Sequence, residues 1–150
     1  MSSTSTLVTE SSVAADALFE ASLDIDAHVA SLAHSGEKAI AGVTSGQISL
    51  GESVTWRARH CGVWFTMTSQ VTEVEAPVRF VDQQVAGPFK AFIHEHSFEQ
   101  RGEGSRMTDV ITVSSPFFGR LAERVVLVPY LRRLIAKRNA HLIAMHSLSN

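Results

Sequence analysis

Residues 89–114 read FKAFIHEHSFEQRGEGSRMTDVITVS. Two runs of alternating apolar and polar residues flank Arg101-Gly102-Glu103-Gly104, a turn signal. Pairing Gln100 with Ser105 sets the register. Phe98 then faces Met107, His96 faces Asp109, His94 faces Ile111 and Phe92 faces Val113. Side chains alternate across a strand, so these residues share one face. Phe98, Met107, Ile111 and Phe92 are apolar, which marks it as the inner face. That face also carries two histidines and an aspartate.

The same period extends towards the N-terminus. In 52–60 the even positions hold Val54, Trp56, Ala58 and His60, and the odd positions Ser53, Thr55, Arg57 and Arg59. One face is buried and the other solvated. Cys61-Gly62 turns the chain, and Val63, Phe65, Met67 and Val71 continue the apolar set. Pairing His60 with Val63 brings Trp56 opposite Met67. The turn at 75–78 leads into a strand over 79–85 and places Asp82 and Gln84 inward, near Val71 and Ser69. Ala86-Gly87-Pro88 is the next turn. Strands at this spacing, joined by short turns, predict an antiparallel meander.

Before the meander, TSTLVTE at 4–10 reads as a strand, with 1–4 a flexible lead-in. Short helices are expected over Val13–Ala21 and, capped by Asp24, over Ile25–Leu32. The glycine-containing stretch 39–50 allows a bent strand. After it, Arg120–Leu148 reads as a helix, with a stripe of Leu121, Val125, Val128, Leu131, Ile135, Leu142 and Met145. Pro129 should kink or split it. The fold class is therefore α+β in one domain, with the terminal helix laid across the sheet.

Composition narrows the function classes. The chain has 150 residues, 45% hydrophobic and 19% charged, and a net charge of -2. It has no global basic field for nucleic acid. One cysteine, Cys61, excludes an internal disulfide and a cysteine-based zinc site. No apolar run reaches the ~20 residues of a membrane span. The opening MSSTSTLVTESS lacks the marks of a signal peptide, so a cytoplasmic location is expected. Arg120, Arg124, Arg132, Arg133, Lys137 and Arg138 make the last helix basic, and a solvated face is the preferred reading over contact with acidic lipid.

The inner face combines walls, Trp56, Phe65, Met67 and Phe92, with polar groups: His60, Ser69, Asp82, Gln84, His94, His96 and Asp109. Buried polar groups without partners cost roughly 1–3 kcal/mol each. So many on one concave face point to a cavity holding water or ligand. His94 and His96 form an H-x-H that, with His60 or Asp109, has metal-ligand character. A hydrogen-bonded His96–Asp109 pair is preferred, and no metal or other cofactor is expected. His96 with Asp109 is also the candidate acid/base pair, should the protein be an enzyme.

VTWRARHCG, FVDQQVAGPF, the H-x-H-x-F at His94, His96 and Phe98, the G-x-R-M-T-D ending at Asp109, and YLRRLIAKR in the last helix resemble the SRPBCC (START-like, helix-grip) superfamily. Within it, the chain looks like the bacterial polyketide cyclase/dehydrase or lipid-transport-like group. The resemblance covers about residues 5–145. It implies a curved sheet of about six to seven strands gripping a long C-terminal helix, with two short helices after the first strand. It also implies a small lipophilic ligand, a lipid or polyketide-like molecule, in a cavity between sheet and helix. The expected function is non-catalytic binding, with Trp56, Phe65, Met67, Asp82, Gln84, Phe92, His94 and His96 around the ligand. A cyclase/dehydrase-type enzyme is the alternative. A homodimer through an exposed strand edge stays open. The chain departs from the family in having Ser-Ser-Val-Ala at 11–14 where an Ala-Pro is common, and no tryptophan near Ser22-Leu23-Asp24.

Overall fold

A computed structural model of the protein describes residues 2–116 and 120–147. The order is β1 (Ser3–Ser11), α1 (Ala15–Ser22), α2 (Ile25–Ser31), β2 (Lys38–Gly42), β3 (Ser53–His60), β4 (Val63–Glu75), β5 (Arg79–Ala86), β6 (Ala91–Arg101), β7 (Gly104–Ser114), α3 (Arg120–Ala122), a π turn (Glu123–Leu127) and α4 (Val128–Ser147). One antiparallel sheet runs in the order β1-β7-β6-β5-β4-β3-β2. It is a meander from β2 to β7, with β1 returning to lie beside the last strand.

The registers follow from the alternation. Trp56 pairs with Met67 and His60 with Val63. Val71 pairs with Asp82 and Ser69 with Gln84, across a ladder broken by two bulges. His96 pairs with Asp109 and His94 with Ile111. Cys61 (φ 52) and Gly62 (φ 79) make the tight turn between β3 and β4 in the left-handed region. Gly104 is required by close approach, since a Cβ there would sit 2.1 Å from the Ser11 carbonyl oxygen.

Three details differ from the expectation. Ser3 and Thr4 are not a loose lead-in: they pair with Val113 and Thr112 (Met1 lies outside the described residues). The bent strand over 39–50 shrinks to the short β2, because the following loop turns its backbone to the helices. Gly46 O accepts from Ile25 N, and Ile48 N donates to Leu23 O. At Pro129 the terminal helix does not split, and its irregularity is the π turn that precedes the proline. Proline has no N–H to give the carbonyl four residues back, and its ring crowds that carbonyl. The wider π turn lies directly before it, so the mismatch is absorbed without a break. Leu148, the expected helix end, lies outside the described residues.

The concave face carries two apolar clusters. Phe19 of α1 packs edge-on against Phe80 and Phe98, at 5.9 and 5.6 Å. Phe92, Ile111 and Val113 pack on Ile135 of α4. Each buried side chain of this size contributes about 1.5–3 kcal/mol of transfer free energy. The N-terminal end of the helical stripe does not join them: Leu121 and Val125 are exposed, 76% and 64%. No described helix is long and apolar enough to cross a membrane.

Candidate functional site

Between the sheet, the short helices and α4 lies a cavity of 560 Å³. Its walls are apolar. Trp56, Met67, Phe92 and Ile135 line it, and the half-exposed Phe65 and Val63 stand at its rim. Asp82, His94, His96 and Arg138 form a polar floor. A second polar group lies elsewhere on the wall, where His60 Nδ1 and the Tyr130 hydroxyl are 2.6 Å apart and tie β3 to α4. Glu37 also lines the cavity. Its Oε2 is buried without a hydrogen bond, 3.4 Å from Nε2 of His28. His28 in turn stacks on Trp56 at 4.3 Å between ring centres.

The floor is one connected network. Asp109 is 2% exposed and accepts three bonds. His94 Nε2 and Arg138 Nη2 reach its Oδ1 at 2.8 and 3.1 Å. Asn139 Nδ2 reaches its Oδ2 at 2.8 Å and also donates to Thr9 Oγ1. His96 Nε2 lies 2.7 Å from Asp82 Oδ2. The other ring nitrogen of His96 faces Nη1 and Nη2 of Arg138 at 3.4 and 3.5 Å. Asp109 Oδ1 is also 3.4 Å from that nitrogen, but already accepts from His94 and Arg138. A guanidinium has only donors, so the partners assign the lone pair of His96 to Nδ1 and its proton to Nε2. The imidazoles of His94 and His96 stack at 3.6 Å, and Phe80 lies against His96 at 4.1 Å.

Electrostatics follow from this packing. Burial alone would raise the pKa of Asp109; the adjacent Arg138 charge and the His94 bond outweigh it and hold the carboxyl far below the usual carboxylate range. Burial would also raise Asp82, and the bond from His96 overcomes it, so Asp82 too stays ionised. His94 is pushed down to about 4, first by burial and then by the neighbouring His96, against the pull of Asp109. His60 is lowered by burial, with the Glu37 charge opposing. Tyr130 is raised by burial.

The expected cross-strand neighbours are brought together, but the hydrogen bonds are exchanged. The short bond of His96, at 2.7 Å, goes to Asp82, and Asp109 is held at 2.8 Å by His94. His96 Nδ1 and Asp109 Oδ1 stay 3.4 Å apart, the longer contact for both groups. Gln84 does not reach the cavity. Its amide donates to the Phe89 carbonyl at 2.8 Å and accepts from the Phe89 N–H at 3.2 Å, which fixes the turn before β6. Trp56, Phe65, Met67, Phe92, Asp82, His94 and His96 all line the cavity.

Sequence reading missed Arg138 and Asn139. The pattern places Arg138 on the solvated basic face, yet it is 5% exposed, and Asn139 is fully buried. The signal was present. The apolar stripe steps from Ile135 straight to Leu142, and the missing turn between them is where these two residues fall. A gap in a buried stripe filled by polar residues marks polar groups carried into the core.

Asp82, His94 and His96 each offer one ligand atom within 4.8 Å of the others, a spacing that a divalent cation can use. His96 Nε2 and Asp82 Oδ2 already bond each other at 2.7 Å, and a cation held there would have to replace that bond.

No protein-family model and no curated protein sequence matches the chain. Solved structures do. The protein TTHA0849 from Thermus thermophilus superposes with a TM-score of 0.75 at 15% identity, over 95% of this chain and 99% of that one. The ginseng major latex-like protein 151 from Panax ginseng gives 0.70 at 15%, over 97% of each chain. The Zhui aromatase/cyclase from Streptomyces sp. R1128 gives 0.69 at 13%, over 94% of each. Those matches cover 94% or more of this chain, so it has their fold, the helix-grip fold of a curved antiparallel sheet around a long C-terminal helix.

Proposed function

We propose that the protein binds a small hydrophobic or amphipathic molecule in the cavity between sheet and terminal helix, without transforming it. The observation that carries this reading is the lining: a 560 Å³ space with mostly apolar walls and a cluster of polar groups, Asp82, His94, His96 and Arg138, on one part of it. Such a division suits a ligand with a long apolar body and one polar end. Trp56, Phe65, Met67 and Phe92 would contact the body, and Asp82, His94 and His96 the polar end. The likeness to an aromatase/cyclase keeps catalysis within reach of the fold. The engaged nitrogens of His96 favour binding.

Titration with the neutral fluorophore N-phenyl-1-naphthylamine tests the reading. One saturable site per chain is expected, displaced by any lipophilic material extracted from the purified protein. A linear, unsaturable signal would show that the cavity is not a binding site.

A further inference from the structure

We propose that the polar end of the ligand is a hydrogen-bond donor, a protonated primary amine in the first place, seated between the carboxylate of Asp82 and Nδ1 of His94. This rests on the binding reading above.

Among the described residues Arg138 is the floor's one cation, and it donates to Asp109, Asn139 and His96. Its charge is matched by Asp109. The proton on His96 Nε2 is spent on Asp82, and that on His94 Nε2 on Asp109. Beyond one N–H of Arg138 Nη1, what remains is acceptor capacity. Asp82 uses Oδ2 for His96, and its side chain keeps 23% exposure where it lines the cavity. His94 donates through Nε2, so its Nδ1 carries a lone pair. That nitrogen has no hydrogen-bond partner among the described residues, although the side chain is only 7% exposed. The floor therefore presents an unbalanced carboxylate and an unused imidazole lone pair to an apolar space. Glu37 adds a second carboxylate elsewhere on the lining.

A ligand carboxylate or phosphate would meet Asp82 as a like charge and find Arg138 already neutralised. It would be desolvated without a counter-charge, which is strongly unfavourable. An ammonium group gains the charge pair with Asp82 and a second bond to His94, both of which are otherwise unmade. A hydroxyl gains the bonds without the charge. Discrimination against anions is thus built by repulsion as much as by attraction.

Three probes of one chain length test this: decylamine, decanol and decanoate, each displacing the fluorophore below its micellar concentration, in the presence of a chelator. The expected order is amine, then alcohol, then acid, with the amine at least tenfold tighter than the acid. Asp82→Asn should abolish the amine's advantage over decanoate. Decanoate binding as tightly as decylamine would overturn the proposal, and this comparison needs no variant. So would an amine preference that survives Asp82→Asn, since it would then come from Glu37 or the overall charge of the chain. If decanol and the fluorophore bind and the amine shows no preference, this proposal falls while the binding reading stands. If none of the probes binds, both fall.

Discussion

Arg138 and Asp109 are opposite charges removed from water together, and each is tolerable only because of the other. Desolvating an ion costs several kcal/mol even after relaxation, and the pair recovers it through charge and well-placed hydrogen bonds. Asp109→Asn keeps the shape and removes the charge. It leaves the Arg138 guanidinium buried beside an amide whose N–H groups face other donors. A loss of about 3–5 kcal/mol is expected, read from the shift of a urea unfolding curve. A loss below about 1 kcal/mol would mean that water reaches Arg138. The acid limb of stability belongs to the same residues. The folded pKa of His94 is about 4, against 6.5 for the free side chain. Between those values the unfolded chain binds the extra proton, so stability falls as pH drops from 6.5 towards 4. At about 1.36 kcal/mol per pH unit, His94 can contribute roughly 3 kcal/mol to that fall. Asp82 and Asp109, held low, contribute stability above the usual carboxylate pKa that is lost as pH falls further. His94→Gln should flatten the thermal unfolding midpoint between pH 6.5 and 4 and leave the decline below pH 4. An unchanged slope in the upper window would assign it elsewhere, to His60 first.

At the scale of elements, the hairpins were legible and their polar contacts were not. A period of two fixes the face of every residue once one turn is placed. The β3–β4 and β6–β7 registers therefore follow from Cys61-Gly62 and from the glycine-rich turn at 101–104. Side-chain partners obey a different rule, because diagonal neighbours lie within reach of long side chains. His96 sits opposite both Asp109 and Phe80 in its two ladders. Phe80 occupies its ring face by stacking, and His96 leans to the diagonal Asp82, as His94 leans to the diagonal Asp109. The helix contribution was hidden for another reason. Arg138 and Asn139 enter the core from an element that the alternation of strands does not constrain. The turn offers a direct test of the local reading. Cys61 and Gly62 both hold positive φ, the two-residue hairpin turn that favours Asn-Gly. Cys61→Asn should keep or raise the melting temperature, and Gly62→Ala should cost about 1–2 kcal/mol. A stable Gly62→Ala protein would show that the turn relaxes to another type.

On the scale of the molecule, the sheet and α4 are held apart by a packed base and leave the space between them unfilled. Close-packed interiors are the rule, so a cavity of this size is a stability that the fold forgoes. Ser69 makes that measurable. It lies on β4 beside a bulge, is 5% exposed, and lines the cavity. Ser69→Leu replaces a hydroxyl with an apolar side chain that has empty space to enter. Up to about 1.5–3 kcal/mol of burial is available, less any strain. For a domain of this length, each kcal/mol is about 2–4 °C in melting temperature. The variant should therefore melt several degrees higher. It should also bind N-phenyl-1-naphthylamine at least tenfold more weakly, because the same volume serves both ends. Gain in one property against loss in the other is the signature of a space kept open for a ligand. A lower melting temperature with full binding would place the Ser69 side chain against packed neighbours, with the usable volume elsewhere along the groove.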